Sequence, residues 1–181
     1  MQLRTSRNSQ DTMNRISDRH AVSQAYIGLG SNLDNPASQI RKAFEEVARL
    51  PSSHLLAHSS LYRSAPLGQT DQPDFINAVA LIETTLPPHD LLKALLEIER
   101  NHGRVREYPN APRTLDLDIL MYDGLQWDER RLILPHPRMH QRAFVLQPLR
   151  EIAPDCRIPG RGSIAELLAA CAGQQVEREQ A

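Results

Sequence analysis

Two aspartates, Asp116 and Asp118, interrupt the otherwise apolar stretch PRTLDLDILMYDG at residues 112–124. In an extended strand residues two apart share a face, so these carboxylates project together about 6–7 Å apart. Leu115, Leu117 and Ile119 then point the other way, toward whatever helices the sheet packs on, and Thr114 joins the aspartates. Unpaired carboxylates at that spacing repel. A hard divalent cation would relieve the repulsion: Mg²⁺ takes one or two carboxylates, retains waters and completes its shell from substrate phosphates. Charges that limit pairing on a solvent-facing strand, or arginines that neutralise the pair, would also account for the pattern. Spacing alone leaves all three readings open.

Arginines gather beside this strand. Arg100, Arg104, Arg106 and Arg113 precede it, and guanidinium groups beside carboxylates and Mg²⁺ would form a receptacle for a polyphosphate, since each offers several donors to phosphate oxygens. Read alone, they fit a solvated loop equally well. Downstream, LPHPRMHQRAF places His136, Arg138, His140 and Arg142 close together as a second anion-facing group. GLGSNL has Gly28 and Gly30 but Leu33 at the third glycine position of a dinucleotide-binding turn, so the glycines read as aids to a tight turn. The sequence contains no Walker A, HExxH, GxSxG or CxxC pattern, which leaves nucleophilic serine or cysteine chemistry without support.

The elements that must hold these groups follow from hydrophobic period. QAYIGLG (24–30) predicts a strand, and Asn35 with Pro36 signals the start of a helix along which Ile40, Ala43, Phe44, Val47 and Leu50 recur. HLLAHSSLYRS predicts one strand; FINAVALIET predicts a longer one whose Phe75, Asn77, Val79 and Leu81 share a face. A helix starts near Pro88, carries Leu91, Leu95, Ile98 and His102 on one stripe and stops at Gly103. The aspartate strand follows, with Asp123-Gly124 as its turn and a short strand at LQW; a further helix over SIAELLAACA is capped by Ser163. The order strand, helix, strand, strand, helix, strand is that of a ferredoxin-like unit, an antiparallel sheet with two helices on one face and C-terminal helical additions.

A chain of 181 residues, 40% hydrophobic, suits a single domain, expected over 24–173. Residues 1–23 are expected to form a disordered extension and 174–181 a flexible tail. The net charge of -1 argues against nucleic acid or an anionic membrane as a partner, and the absence of a long apolar run argues against a spanning helix or secretory signal. Cys156 and Cys171 lie outside any metal-binding spacing and suit a reduced, cytoplasmic setting. No interface pattern is visible, so a monomer is expected.

Five motifs in order, YIGLGSN, SSLYRSAPLGQTDQPDFINAV, EIERNHGRVR, APRTLDLDILMYDG and LPHPRMHQRAFVLQPLREIAPD, resemble the 6-hydroxymethyl-7,8-dihydropterin pyrophosphokinase family of folate biosynthesis over about residues 24–155. The resemblance implies a ferredoxin-like α/β/α fold and transfer of pyrophosphate from ATP to the pterin hydroxymethyl group with release of AMP. It implies that Asp116 and Asp118 hold two Mg²⁺ ions against the triphosphate, with depressed pKa values. Phe75 and Phe144 would sandwich the pterin, Asn77 would read its edge, and Ser64, Ala65 and Leu67 would complete that pocket. Arg104 and Arg113 would contact phosphates, His136 and Arg142 the triphosphate region with Arg138 beside them; Ile119 would pack on adenosine and Glu99 would accept hydrogen bonds from it. Some members carry Arg-Trp where this chain has Pro109-Asn110, and an aromatic residue where it has Pro137. Loops GQTDQPD and RVREYPNAP are expected to close over substrates. A silent nucleotide-binding module or an RNA-binding module would share the fold, but neither requires the carboxylate pair, Asn77 and two aromatics together.

Overall fold

The computed structural model describes residues 21–67, 71–104 and 111–180. Expectations for residues 1–20, for the loop segments 68–70 and 105–110 and for the Pro109-Asn110 difference lie outside the described residues.

The main sheet runs Val176–Arg178, Tyr62–Ser64, Phe75–Thr84, Ser23–Ser31, Asp116–Tyr122 in spatial order, with Ser53–His58 also paired to Phe75–Thr84. Its strands are β1 (Ser23–Ser31), β2 (Ser53–His58), β3 (Tyr62–Ser64), β4 (Phe75–Thr84), β5 (Asp116–Tyr122) and β10 (Val176–Arg178). Every pairing is antiparallel. Helices α1 (Pro36–Ala48) and α2 (Pro88–Asn101) cover one face; α3 (Ala143–Ile152) and α4 (Ile164–Ala170) cover part of the other. Short hairpins β6 (Trp127–Glu129) with β7 (Leu132–Leu134) and β8 (Arg157–Ile158) with β9 (Gly162–Ser163), and a 3-10 turn at Met139–Gln141, complete the described elements. This is the α/β/α sandwich with a mainly antiparallel sheet and C-terminal helical additions.

Alternation along the strands builds two cores on opposite sides of the sheet. Ala25, Ile27, Leu29, Ile76, Ala78, Ile82, Leu117 and Ile119 face α1 and α2, where Ile40, Val47, Leu91 and Leu95 are fully buried. Burying each such aliphatic side chain contributes about 1.5–3 kcal/mol. On the other side Val79, Leu120 and Met121 meet Leu146 and Leu149 of α3 and Ile164 of α4. A register shift lets Leu120 and Met121 both turn to this side, because Ile27 pairs with Ile119 while Tyr26 pairs with Met121. The bulge returns Tyr122 to the first core without disturbing the aspartates upstream.

Several local expectations hold at their physical level. Pro36 and Pro88 occupy the first helical turns, Gly103 adopts φ +72° just past α2, and Ser163 with Glu166 forms a reciprocal capping box. Asn35 caps α1 from a left-handed conformation, φ 62°, without a side-chain bond. Three expectations are corrected. Residues 54–64 form two strands, not one: β2 and β3 pair with successive halves of β4, and Ser59 Oγ accepts the Val79 N–H in the gap between them. The expected tail is not loose over its described residues 174–180, since Val176–Arg178 pairs with β3 and Arg63 holds Glu179 at 2.8 Å. The LQW strand is displaced to Trp127–Glu129.

Candidate active site

On the α3 side of the sheet, bordered by Leu120 and Val145 of the second core, lies a cavity of about 380 Å³. Its floor is made by neighbouring strands. Gly30 pairs with Asn77 on one side and Asp116 on the other, and Gly28 lies between Val79 and Asp118. Neither glycine makes a turn, contrary to expectation; both sit in mid-strand. A Cβ on Gly28 would meet Leu120 Cδ2 at 3.1 Å, and one on Gly30 would approach Asn77 Oδ1 at 3.5 Å. The missing side chains leave the floor open between the amide and the carboxylates.

Every residue that the resemblance assigns to the site, except Glu99 and Ile119, lines this cavity; Arg100 and His140 of the two basic groups do not. At one end stand Ser64, Ala65, Leu67, Phe75, Asn77 and Phe144. Asn77 is buried; its Nδ2 donates to Ser64 Oγ at 2.9 Å, which orients Oδ1 toward Gly30 as an acceptor. Arg113 lies over the Phe75 ring at 5.5 Å and Arg142 over Phe144 at 5.6 Å, so each aromatic face carries a guanidinium.

At the other end the cations already have partners. Arg113 Nη1 donates to Asp116 Oδ2 at 2.7 Å, and Arg104 Nη2 reaches Asp116 Oδ1 at 2.6 Å. Arg104 also pairs with Glu99. Glu99 is 2% exposed, and its Oε1 accepts the Leu117 N–H at 2.7 Å. The expectation that Glu99 accepts from adenosine is therefore corrected: its carboxylate is turned inward, tying α2 to the aspartate strand and to Arg104. Burial raises its pKa, opposed by the Leu117 N–H and by Arg104. Ile119 is also corrected as an adenosine-packing side chain. It lies in the core on the α1 and α2 side, at 3% exposure, as the strand alternation requires.

Among the described residues Asp118 has no comparable arginine. It lies deep in the cavity with 46% of its side chain open, and its nearest basic contact is His136 Nε2 at 3.9 Å. Loss of hydration, then the charges of Asp116 and Glu99, push its pKa up to about 7, against the opposing pull of Arg142 and Arg104. The depressed value expected from the resemblance belongs to a cation-bound carboxylate; the chain by itself has the opposite sign. His136 is driven down to about 4 by burial and by Arg142 and Arg138, so its ring is neutral at pH 7. Its Nδ1 accepts the Arg138 N–H at 3.2 Å, which puts the proton on Nε2, the nitrogen nearer Asp118.

Among the described residues no group of three or more His, Cys, Asp or Glu is arranged to hold a metal. Asp116 and Asp118 alone fit a cation that takes few protein ligands and completes its shell from phosphates and water. The negative potential at Asp118, only partly offset by Arg142 and Arg104, is the feature that favours such an ion.

One organising residue escaped the sequence reading. Asn32 is 2% exposed; its Nδ2 donates to Gln72 Oε1 and to the Pro73 carbonyl, both at 3.1 Å, and its Oδ1 accepts the Arg113 N–H at 2.8 Å. Its own N–H donates to the Arg113 carbonyl at 3.0 Å. A single amide thus ties the end of β1 to the segment before Phe75 and to the segment carrying Arg113. Its presence in YIGLGSN was the available signal. A larger cavity, about 990 Å³, lies between α1, β2 and the C-terminal strand, lined by Phe44, Leu55, His58 and Arg178 among others. Size does not decide between the two, because the carboxylate pair, the arginines and the amide converge only in the smaller one.

Residues 26–154 match the family described as 7,8-dihydro-6-hydroxymethylpterin-pyrophosphokinase. The chain belongs to this pyrophosphokinase family. The 2-amino-4-hydroxy-6-hydroxymethyldihydropteridine pyrophosphokinase of Pseudomonas aeruginosa is 50% identical over 157 residues, covering 87% of this chain and 97% of the relative. The pyrophosphokinase of the same name from Haemophilus influenzae is 49% identical over 144 residues, covering 80% and 90%. Among solved structures, wild-type Plasmodium falciparum HPPK-DHPS with SDX-DHP superposes with a TM-score of 0.67 at 14% identity, over 85% of this chain and 45% of that one. The pyrophosphokinase spans less than half of that solved chain, and at such identity the likeness concerns the fold. No helix among the described residues is long and apolar enough to cross a membrane.

Proposed function

We propose that this pyrophosphokinase transfers the β,γ-pyrophosphoryl group of ATP to the hydroxymethyl oxygen of 6-hydroxymethyl-7,8-dihydropterin, releasing AMP in folate biosynthesis. One observation carries the residue assignment: a single cavity joins an amide and two aromatic rings at one end to two carboxylates ringed by arginines at the other. A flat heterocycle needs the first set, and a charged polyphosphate needs the second.

Phe75 and Phe144 stack on the two faces of the pterin, and Asn77 Oδ1 accepts from its edge, fixing which edge points inward. Ser64, Ala65 and Leu67 close that side. Arg104 and Arg113 leave Asp116 for phosphate oxygens, and Arg138, Arg142 and the Nε2–H of neutral His136 bind the triphosphate. Asp116 and Asp118 hold Mg²⁺, two ions in this proposal, which supplies charge neutralisation to the phosphates. The chain's own part is alignment: with the pterin clamped and the triphosphate gripped, the hydroxyl oxygen faces the β-phosphorus in line with the bond to AMP. The O–P bond forms as that bridging bond breaks, and the bridging oxygen leaves with AMP. Leu117 directs its N–H outward to Glu99, so by strand alternation the backbone of Ile119 faces the same outer edge of β5. Adenosine is read there by main-chain groups, while the Ile119 side chain stays in the core.

The enzyme works as a cytoplasmic monomer in this reading, with neither nucleic acid nor membrane as a partner; light scattering of the purified chain tests the monomer. The reaction itself is tested by following AMP from Mg-ATP with and without the pterin while mass spectrometry follows the pterin. The expected result is pterin-dependent AMP and a pterin heavier by two phosphoryl groups. Formation of ADP, or AMP independent of the pterin, overturns the assignment.

A further inference from the structure

The turn that presents Arg104 is fastened from behind. His102 ends α2, its N–H donating to the Ile98 carbonyl at 3.1 Å, and its ring is 7% exposed against α1. Nδ1 lies 2.6 Å from Gln39 Oε1 and Nε2 2.6 Å from Glu46 Oε2, so both ring nitrogens are in hydrogen-bonding contact with α1. The amide orientation is fixed independently, because Gln39 Nε2 donates to the Asp34 carbonyl at 3.1 Å and leaves Oε1 for the ring. A ring in short contact through both nitrogens with two side chains, two turns apart on α1, is held in position and in plane.

What the clamp holds lies within a few residues. Gly103 turns the chain with φ +72°, Arg104 N–H donates to the Glu99 carbonyl at 3.1 Å, and the Arg104 guanidinium then spans Glu99 and Asp116. A guanidinium reaching a carboxylate at the cavity's phosphate end depends on where this turn sits, and the turn's own contacts to α2 leave it free to rock with the helix end. His102 removes that freedom by joining the helix end to α1.

We propose that His102 is a positioning residue for pyrophosphoryl transfer, setting the aim of Arg104 through a clamp on Gln39 and Glu46. The inference rests on the reading of Arg104 as a phosphate-binding residue. It touches neither substrate, so its removal lowers turnover with little effect on the pterin end of the cavity.

The test is a kinetic cycle with both substrates saturating, at a temperature where melting curves show every variant folded. His102→Ala is expected to lower kcat about tenfold, a displacement of one guanidinium, with the pterin KM changed less than about twofold. In an Arg104→Ala background the same substitution should cost no more than a small further factor, since the residue it aims is gone. Glu46→Leu breaks the clamp from the solvent side and should reproduce the kcat loss; Glu46→Gln keeps an acceptor oxygen and should restore most of it. Wild-type kcat in His102→Ala beside a defective Arg104→Ala overturns the proposal, as does a loss that multiplies in full with that of Arg104→Ala. Wild-type activity in Arg104→Ala alone would instead overturn the reading of Arg104. A fall in melting temperature with kcat intact would make the clamp structural only.

Discussion

Among the described residues no arginine contacts Asp118, and its carboxyl is pushed from the ordinary 3.8 up to about 7, first by loss of hydration and then by Asp116 and Glu99. Replacing it by asparagine keeps the shape and removes the charge. The sign follows from proton binding: with its pKa raised in the folded state, the folded chain holds a proton that the unfolded chain has released, so the ionised side chain opposes folding increasingly as pH rises from 3.8 to about 7. A fully dry carboxylate displaced that far would cost ~4 kcal/mol. With 46% of the side chain open to water, screening leaves ~1 kcal/mol. Asp118→Asn is therefore expected to raise the melting temperature at pH 8, without Mg²⁺, by about 2–4 °C, and to abolish turnover. The gain should shrink as pH falls through 7 and vanish below the ordinary carboxylate pKa. Mg²⁺ should stabilise the wild-type chain more than the variant, and its apparent affinity for the wild type should weaken about tenfold from pH 8 to pH 6 as the proton competes. Melting curves over pH 4–8, with and without Mg²⁺, read all of this. A variant that melts below the wild type at pH 8, or a Mg²⁺ affinity indifferent to pH, would refute the account of Asp118 as an unneutralised charge awaiting a cation.

Three further outcomes follow from individual contacts. Glu99→Gln should keep an acceptor for the Leu117 N–H but remove one of the two carboxylates on Arg104, leaving Asp116; the expected loss is ~2 kcal/mol, and an unchanged chemical-denaturation midpoint would contradict it. Asn32→Ala strips one acceptor from the Arg113 N–H and two donors from the Gln72 and Pro73 contacts, costing ~2 kcal/mol. Calorimetric titration should find nucleotide and pterin affinities both reduced, whereas a loss confined to one substrate would show that the residue does not join the two segments. His136 has its pKa lowered to about 4, so the unfolded chain takes up a proton that the folded chain refuses, and stability falls as pH drops from 6.5 to about 4. His136→Ala should flatten that part of the pH–stability curve; an unaltered slope would mean that the ring is not held neutral.

Much of the fold was legible because its signals are local. Helical stripes on α1 and α2, the capping box at Ser163 and the period-two pattern around Asp116 and Asp118 need only neighbours in sequence to be read. Alternation even places Ile119 in the core, and it was only the resemblance that set its side chain against adenosine. The C-terminal strand was not legible: Val176–Arg178 is too short to show a period and exists because β3 offers it an edge. The divided strand at 54–64 likewise depends on two successive registers along β4.

At the site, residue types were a matter of sequence and charge states a matter of assembly. Sequence by itself determined that two carboxylates share a strand face, that arginines and a histidine flank them, and that an amide and two aromatics are available. Only the tertiary structure decided that, among the described residues, Asp116 is held by two arginines and Asp118 by none, that Glu99 faces inward, and that Asn32 and His102 fasten segments far apart in the chain. The reason is physical. Side-chain direction is set by backbone period within a few residues, whereas hydration and Coulomb interaction depend on every group within several ångströms, wherever in the sequence it originates.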